Sequence, residues 1–356
     1  MMTSAPPTAD AQLLFLSKLQ RLFAEGSFAA TYKYALLIAL ADLAVERGAD
    51  DGRELVLTTR QLGERFIQLY WHQSTPYGTD RADTFPDILL QNFGVQAGVI
   101  SLIAVFLAQA SIGSLQAVRV LPAFQPLLAQ VSAIVSAQPL KFLQNFGGST
   151  DEFLYERVGP GRIQLKPGVG YCLRRFQPLV QQLARSHWVG HIKGNHRNQK
   201  MLGNVDDLED FLFRASRKSL TLLVAGLRKI DGGGCFYCDR KLDATEATDV
   251  DHFIPFSHYP RDLAHNFVLA HPNCNRSKSD SLAARPHLER WLVRMQRSVD
   301  DITEIGIAAG MLADAHSSIK IASWDYASAV QGGAKAWLAA RHYETIDRSY
   351  DTLFIV

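Results

Sequence analysis

Hydrophobic residues recur at helical spacing over most of the chain. Apolar positions three and four residues apart predict helices at about 11–24 and 30–47, and the second carries a stripe of Tyr34, Leu37, Ile38, Ala41 and Val45. The same spacing predicts further helices at about 171–188, 208–230, 302–315 and 319–341. The predicted fold class is therefore mainly α, with one small α+β module in the second half of the chain.

A short apolar run interrupts the first helices. Residues 55–57 are β-prone, and Thr58 and Gln61 follow them with the spacing of a capping box, so a strand should lead into a helix that ends near Trp71. This order fits a winged helix and an ordinary helical bundle equally well. Arg60 and Arg65 are the only basic residues that a recognition face would have there.

The elements divide the chain into four predicted regions. The stretch Gly-Gly-Ser-Thr at 147–150 predicts a hinge. After it, two β-prone runs on either side of a Gly-Pro-Gly turn predict a hairpin at 153–166. We expect a helical N-terminal domain, a candidate winged helix, at 1–146, and a connecting hairpin and helices at 147–230. The α+β module is expected at 231–300 and C-terminal helices at 301–356.

Composition changes this picture little. The 356 residues are 47% hydrophobic and 20% charged with a net charge of +2, which is ordinary for a globular protein and too small for nonspecific nucleic-acid binding by the whole chain. The uncharged segment at 88–118 is interrupted by Gln and Asn, so we expect a buried helix and no membrane span. The N-terminus has no signal-peptide pattern, which predicts a cytoplasmic protein.

Three of the four cysteines belong to one metal-ligand pattern. Cys235 and Cys238 form a Cys-x2-Cys pair, and His271 and Cys274 form a His-x2-Cys pair further along the chain. Three thiolates and one imidazole, delivered in two turns, are the ligands of a closed structural zinc site. The remaining Cys172 is expected to be a core thiol, so no disulfide framework is available and a reducing compartment fits.

A second set of polar residues lies between and beside the two halves of this zinc site. Asp251 and His252 lie within a β-prone run at 248–254, Asn266 opens another run, and Asn275 follows the last zinc ligand at an expected helix start. Because zinc would hold the hairpin and the helix together, we expect these four side chains to lie close to one another.

The runs DVDHFIP, HNFVLAH and CNRSKSD in this stretch resemble the HNH endonucleases, whose ββα-metal fold occurs in homing and restriction nucleases and in RNA-guided CRISPR effectors. The resemblance covers about 50 residues. It implies that His252 is the general base, that Asp251 and Asn275 bind a catalytic magnesium, and that Asn266 braces the loop. Asn275 makes this an H-N-N variant, and His271 stands where a fourth zinc-binding cysteine is usual.

The residue types suit phosphodiester hydrolysis on chemical grounds as well. The reaction needs a base and a hard cation, histidine ordinarily titrates near neutral pH, and carboxylate and carboxamide oxygens bind magnesium or manganese. Arg276 and Lys278 are expected to bind DNA phosphates from the helix. The predicted function is therefore a metal-dependent DNA endonuclease with structural zinc and catalytic magnesium or manganese.

The resemblance suggests a role in antiviral defence against foreign DNA. Since the chain has no nucleotide-binding motif, any ATP-driven step needs a companion sensor or ATPase protein, and a second copy of the chain is another candidate partner. The alternative is a zinc-stabilised nucleic-acid-binding or interaction protein whose site does not cut.

Overall fold

The computed structural model describes residues 5–78, 87–110, 114–202, 207–215, 217–243 and 247–354, without the side chains of residues 217 and 218. The chain forms two compact units, one from Met1–Gly113 with Leu121–Phe213 and one from Ser114–Val120 with Arg214–Val356. The boundary that the sequence suggested after residue 146 instead falls inside the first unit. The expected connecting region at 147–230 contributes to both units.

The predicted mainly helical fold class with a small α+β module is confirmed. In chain order the helices are α1 (Ala9–Glu25), α2 (Tyr32–Arg47), α3 (Thr59–Tyr70), α4 (Gly98–Ala110), α5 (Leu115–Val118), α6 (Phe124–Ala137), α7 (Pro139–Phe142), α8 (Val169–Arg175), α9 (Gln177–Gly194), α10 (Gln199–Leu202), α11 (Leu208–Phe213), α12 (Arg217–Ile230), α13 (Pro272–Lys278), α14 (Arg285–Arg297), α15 (Val299–Ala308) and α16 (Ala315–Gly332). The strands are β1 (Leu55–Thr58), β2 (Asn145–Phe146), β3 (Ser149–Thr150), β4 (Tyr155–Arg157), β5 (Arg162–Leu165), β6 (Asp249–His252), β7 (Phe267–Ala270), β8 (Lys335–Ala339) and β9 (His342–Thr345).

A three-stranded antiparallel sheet in the order β1-β5-β4 lies among the helices of the first unit. Its buried face carries Leu57, Tyr155, Ile163 and Leu165, while intervening residues such as Val56 point outward, as strand alternation requires. The capping box is confirmed, because the Thr58 hydroxyl accepts from the Gln61 amide and the Gln61 side chain accepts from the Thr58 amide. The N-terminal region is therefore not purely helical.

Helices α3 and α6 pack closely at a glycine. A Cβ added to Gly63 would lie 2.3 Å from the Ser132 Oγ and 3.1 Å from the Ser132 Cα, so only glycine permits this approach. The uncharged segment forms α4, whose Val99, Ile100 and Ile103 are buried while Val105 is exposed, so the expected buried helix is only half buried. Among the described residues, no helix is long and apolar enough to cross a membrane.

Three other predicted elements differ from the structure. The expected hinge is the turn of the β2–β3 hairpin, and both of its residues, Gly147 (φ 59°) and Gly148 (φ 75°), have the positive φ of a two-residue turn. The predicted helix at 171–188 breaks at Phe176, where α8 ends and α9 begins one residue before Pro178. The segment 208–230 forms two helices, α11 and α12.

The second unit is built around the hairpin of β6 and β7. These strands are antiparallel, with Asp251 opposite Val268 and His252 opposite Phe267, and α13 packs against β6. The C-terminal region is not wholly helical as predicted. The chain leaves α16 at Gly333, which has a φ of 63°, and then forms the hairpin β8–β9 with Trp337 buried.

Candidate metal centre and active site

The four predicted zinc ligands converge. One ligand atom from each of Cys235, Cys238, His271 and Cys274 lies within 4.8 Å of the others. The Cys238 Sγ and His271 Nδ1 are 3.4 Å apart. In a tetrahedral zinc site with the usual bond lengths, a sulfur and a nitrogen ligand lie about 3.5 Å apart. The donor set and the Cys238–His271 distance therefore fit a zinc site.

Surrounding groups orient these ligands. The His271 Nε2 lies 3.2 Å from the Lys241 carbonyl oxygen, which leaves Nδ1 as the ligating nitrogen. Burial, reinforced by the other two thiols, raises the pKa of Cys274 to about 12. Burial also opposes ionisation of Cys238. Hydrogen bonds from Arg240, Cys235 and His271 outweigh this effect and lower the pKa of Cys238 to about 6. Thiols this close cannot all ionise unless a cation joins them.

Strand β6 and helix α13 form two matched side-chain pairs. Asp249 and Asp251 alternate along β6 and face the same side, while Asn275 and Lys278 lie one turn apart on α13. The Asn275 Nδ2 donates to the Asp249 Oδ2 at 3.0 Å. The Lys278 Nζ lies 3.1 Å from the Asp251 Oδ2. Asn275 therefore contacts Asp249, two residues before the aspartate that the sequence assigned as its partner.

Lys278 cannot bind DNA as predicted, because its side chain is 0% exposed. Its ammonium donates to the His252 carbonyl oxygen at 2.9 Å in addition to pairing with Asp251. The Tyr237 hydroxyl donates to the same Asp251 Oδ2 at 2.5 Å. Burial lowers the pKa of Lys278, and the Asp251 charge opposes that effect. This lysine is an internal cation that holds the end of β6.

His252 is held from the loop that follows its strand. Its Nε2 lies 2.6 Å from the Asp262 Oδ1, and its ring packs 4.4 Å from the Phe267 ring and 5.3 Å from the Phe256 ring, measured between centroids. Asp262 also accepts from the Ala215 amide through its other oxygen at 2.5 Å. Asp262 is thus anchored, and it fixes the orientation of the histidine ring.

Asn266 bridges two segments of backbone. Its Nδ2 donates to the Ile254 carbonyl oxygen at 2.9 Å, and its Oδ1 accepts from the Ile254 amide at 2.8 Å. Its own carbonyl oxygen accepts from the Phe253 amide at 2.7 Å. These contacts tie the chain just after His252 to the start of β7.

The remaining polar residues of this stretch divide into exposed and structural ones. Arg276 is exposed on α13 and contacts only the Asn273 Oδ1 among the described residues. His258 pairs with Asp325 at 2.9 Å; burial opposes its charge, but the hydrogen bond and charge of Asp325 outweigh burial and raise its pKa. His265 is buried, with its Nε2 3.2 Å from the Val299 carbonyl oxygen.

Sequence reasoning missed Tyr237, Asp249 and Asp262. Asp249 had a signal, because the Asp-Val-Asp alternation in a predicted strand places both carboxylates on one face. Tyr237 lies between the two cysteines of the first zinc pair, and no sequence pattern indicates that it contacts Asp251. Asp262 lies in a loop ten residues after His252, and only the folded loop brings the two together.

Strands β6 and β7 and helix α13 form a ββα arrangement beside the cluster of Cys235, Cys238, His271 and Cys274. Residues 235–284 match the family model of the HNH endonucleases, so the resemblance drawn from the sequence is confirmed for this segment. The match covers the zinc ligands, β6, β7 and α13. No curated protein and no solved structure matches the chain.

Proposed function

We propose that the protein is a metal-dependent DNA endonuclease whose active site lies between β6 and α13. The observation that supports this proposal is that the Asn275–Asp249 pair, the Lys278–Asp251 pair and the His252–Asp262 pair all lie within one segment that matches the HNH endonucleases. Zinc at Cys235, Cys238, His271 and Cys274 holds the hairpin against the helix. The fold of the site then depends on zinc, while the chemistry depends on other residues.

His252 is the proposed general base. A carboxylate that accepts the Nε2 proton, as Asp262 is placed to do, leaves Nδ1 as the basic nitrogen. Asp262 is a positioning residue in this scheme, since it acts through the imidazole. Asn266 keeps the loop after His252 against β7 and so holds the base at the end of its strand.

Asp251 and Asn275 remain the proposed magnesium ligands, and Asp249 joins them. Two carboxylates and one carboxamide on facing elements match the oxygen donors that magnesium or manganese takes, with water completing the shell. When bound, the ion stabilises negative charge on the phosphate and the departing oxygen. Lys278 limits the negative charge of the two aspartates, because it pairs with Asp251 in the protein interior.

Arg276 remains the proposed phosphate contact of α13, because its side chain is exposed and on the same helix as Asn275. DNA is the proposed substrate. Defence against foreign DNA, a cytoplasmic location, and either a companion sensor or ATPase or a second copy of the chain as partner are proposed from the same resemblance. The free thiols of the zinc cluster suit a reducing compartment.

One contact favours the alternative of a zinc-stabilised protein that binds nucleic acid without cutting it. The Lys278 ammonium already occupies one oxygen of Asp251, and an internal cation there competes with a metal ion. Asp251 would then serve the fold alone. The two functions differ in whether a divalent ion other than zinc changes the DNA.

A plasmid-nicking assay with magnesium or manganese tests the proposal. Wild-type protein should convert supercoiled plasmid, and His252→Ala should lower the rate by about 10²–10⁴-fold, the usual contribution of a general base. His316→Ala is the matched control, because it removes an exposed histidine from α16 in the same unit. Undiminished cleavage by purified His252→Ala protein would overturn the assignment of the base.

A further inference from the structure

The elements that surround the sheet of the first unit follow one another along the chain as a helix, a strand, two helices and a hairpin. Helices α2, α3 and α6 are combined with β1 and the β4–β5 hairpin, and the strand order β1-β5-β4 places the last strand in the middle. This is the connectivity of a winged helix, with α4 and α7 of the same unit added to it. In helix-turn-helix proteins the second helix of the close pair enters the major groove, and here that helix is α6.

The outward face of α6 carries no charge. Residues 124–137 include no acidic or basic side chain, and the exposed positions other than Pro126 are alanine or glutamine, among them Ala129, Gln130 and Ala133. Small residues allow a backbone to approach closely, and a glutamine amide can pair with the edge of an adenine. The Gln130 side chain makes no hydrogen bond to any other residue in the described part of the chain.

Exposed cations lie at both ends of this face. The Arg60 guanidinium donates to the Gln125 side chain near the start of α6. At the other end, the Arg157 Nη2 donates to the Ser136 carbonyl oxygen at 2.6 Å, and Lys141 lines the same shallow depression. Gln125 and Ser136 are separated by about 16 Å of helix, which is about a third more than the roughly 12 Å width of the major groove.

The acidic residue of β4 lies on the face of the sheet that points away from the helices. Glu156 alternates with Tyr155 and Arg157 along β4, so it points away from the helices, and Gln164 of β5 binds Glu54 on that outer side at 2.6 Å. Arg65 adds nothing to the surface, because it is buried and paired with Glu46. The face formed by Arg60, α6, Arg157 and Lys141 is therefore basic at its rims and uncharged between them.

We propose that this face binds duplex DNA, with α6 in the major groove and Arg60, Arg157 and Lys141 on the phosphates of the two rims. Charge complementarity selects a polyanion, and the spacing of the cations along an uncharged helix selects a duplex groove. The proposal deepens the proposed function by giving the nuclease a target-binding surface outside the HNH segment. It rests on that function only in taking DNA as the ligand.

The test measures binding of the full chain to a 5′-labelled duplex of about 20 base pairs by fluorescence anisotropy, in EDTA so that no cleavage occurs. Each phosphate contact contributes about 0.9 to the slope of log affinity against log salt. The double variant Arg60→Ala/Arg157→Ala should therefore lose about 1.8 from that slope. Raising salt from 50 to 200 mM should then weaken wild-type binding about 12-fold more than binding by the double variant.

Arg175→Ala, which removes an exposed arginine from α8, is the matched control and should keep the wild-type slope. Ala133→Glu is a second, independent variant, because it places a carboxylate at an exposed position of the groove-facing surface. It should weaken duplex binding at least about tenfold through repulsion from the phosphates. Equal melting temperatures for all variants verify that the fold is intact.

An unchanged slope in the double variant, or wild-type affinity in Ala133→Glu, would overturn the proposal. So would an equal loss on single-stranded DNA or duplex RNA, because these lack the wide major groove. The anisotropy assay measures binding and not cleavage. Loss of binding in these variants therefore supports the proposed DNA-binding face even if His252→Ala proves the nuclease assignment wrong. Unaltered binding with intact cleavage would reject this surface and leave the nuclease assignment standing.

Discussion

Removal of Lys278 should damage the fold of the second unit rather than weaken DNA binding directly. The Lys278 side chain is 0% exposed and that of its partner Asp251 is 9% exposed, so Lys278→Ala leaves a buried carboxylate without its cation. Breaking a buried ion pair on one side costs about 3–5 kcal/mol. In a domain of this size class that corresponds to a fall in Tm of about 6–20 °C. The lost bond to the His252 carbonyl oxygen adds to the effect.

Urea unfolding followed by circular dichroism measures this loss. The double variant Asp251→Asn/Lys278→Met should be more stable than Lys278→Ala, because neither buried charge remains unpaired. Arg276→Ala is the control on the same helix; its side chain is exposed, so stability should change by less than about 0.5 kcal/mol. A Lys278→Ala protein that unfolds like wild type but binds DNA with a flatter salt dependence would refute the internal role of Lys278.

Two further predictions concern the zinc centre and the half-buried His258. Cys238→Ser should lose zinc by elemental analysis and melt at a lower temperature, because zinc binding is coupled to folding; wild-type protein without tightly bound zinc would contradict the site. The pKa of His258 is raised in the fold, so its pairing with Asp325 stabilises the protein below about pH 6.5 and is lost as pH rises through the folded pKa. The loss of stability in His258→Gln should therefore be larger at pH 5.5 than at pH 8.5, whereas His316→Gln should show no such difference.

Local features could be predicted from the sequence where neighbouring residues determine them. The capping box of Thr58 and Gln61, the β4–β5 hairpin and the zinc ligands all depend on spacing within short segments. The end of α16 had a local signal too, since a Gly-Gly pair precedes the β8 strand, but the surrounding apolar residues suggested one long helix. The pairing of β1 with β5 joins segments more than 100 residues apart, and no local pattern reports it.

The site shows the same limit. The sequence placed Asn275 and Lys278 on one helix, but it could not say that the Lys278 side chain is buried against β6 and Tyr237. Lysine is almost never fully buried without a partner, so exposure was the natural expectation. The contact between Asp262 and His252 could not be predicted, because only the folded loop brings the two side chains together. Burial and long-range pairing are properties of the tertiary fold, and they decide which charged residue contacts substrate.

The separation of the structural and catalytic metal sites is tested most directly in Asn275→Ala protein, with zinc content and magnesium dependence measured on the same sample. Asn275 contacts Asp249 and is not among the four clustered zinc ligands. Zinc should therefore stay bound, while the magnesium concentration for half-maximal cleavage should rise about 10–100-fold. Asn273→Ala, an exposed asparagine on the same helix, should change neither quantity. Loss of zinc together with activity in Asn275→Ala would contradict the assignment of two separate metal sites.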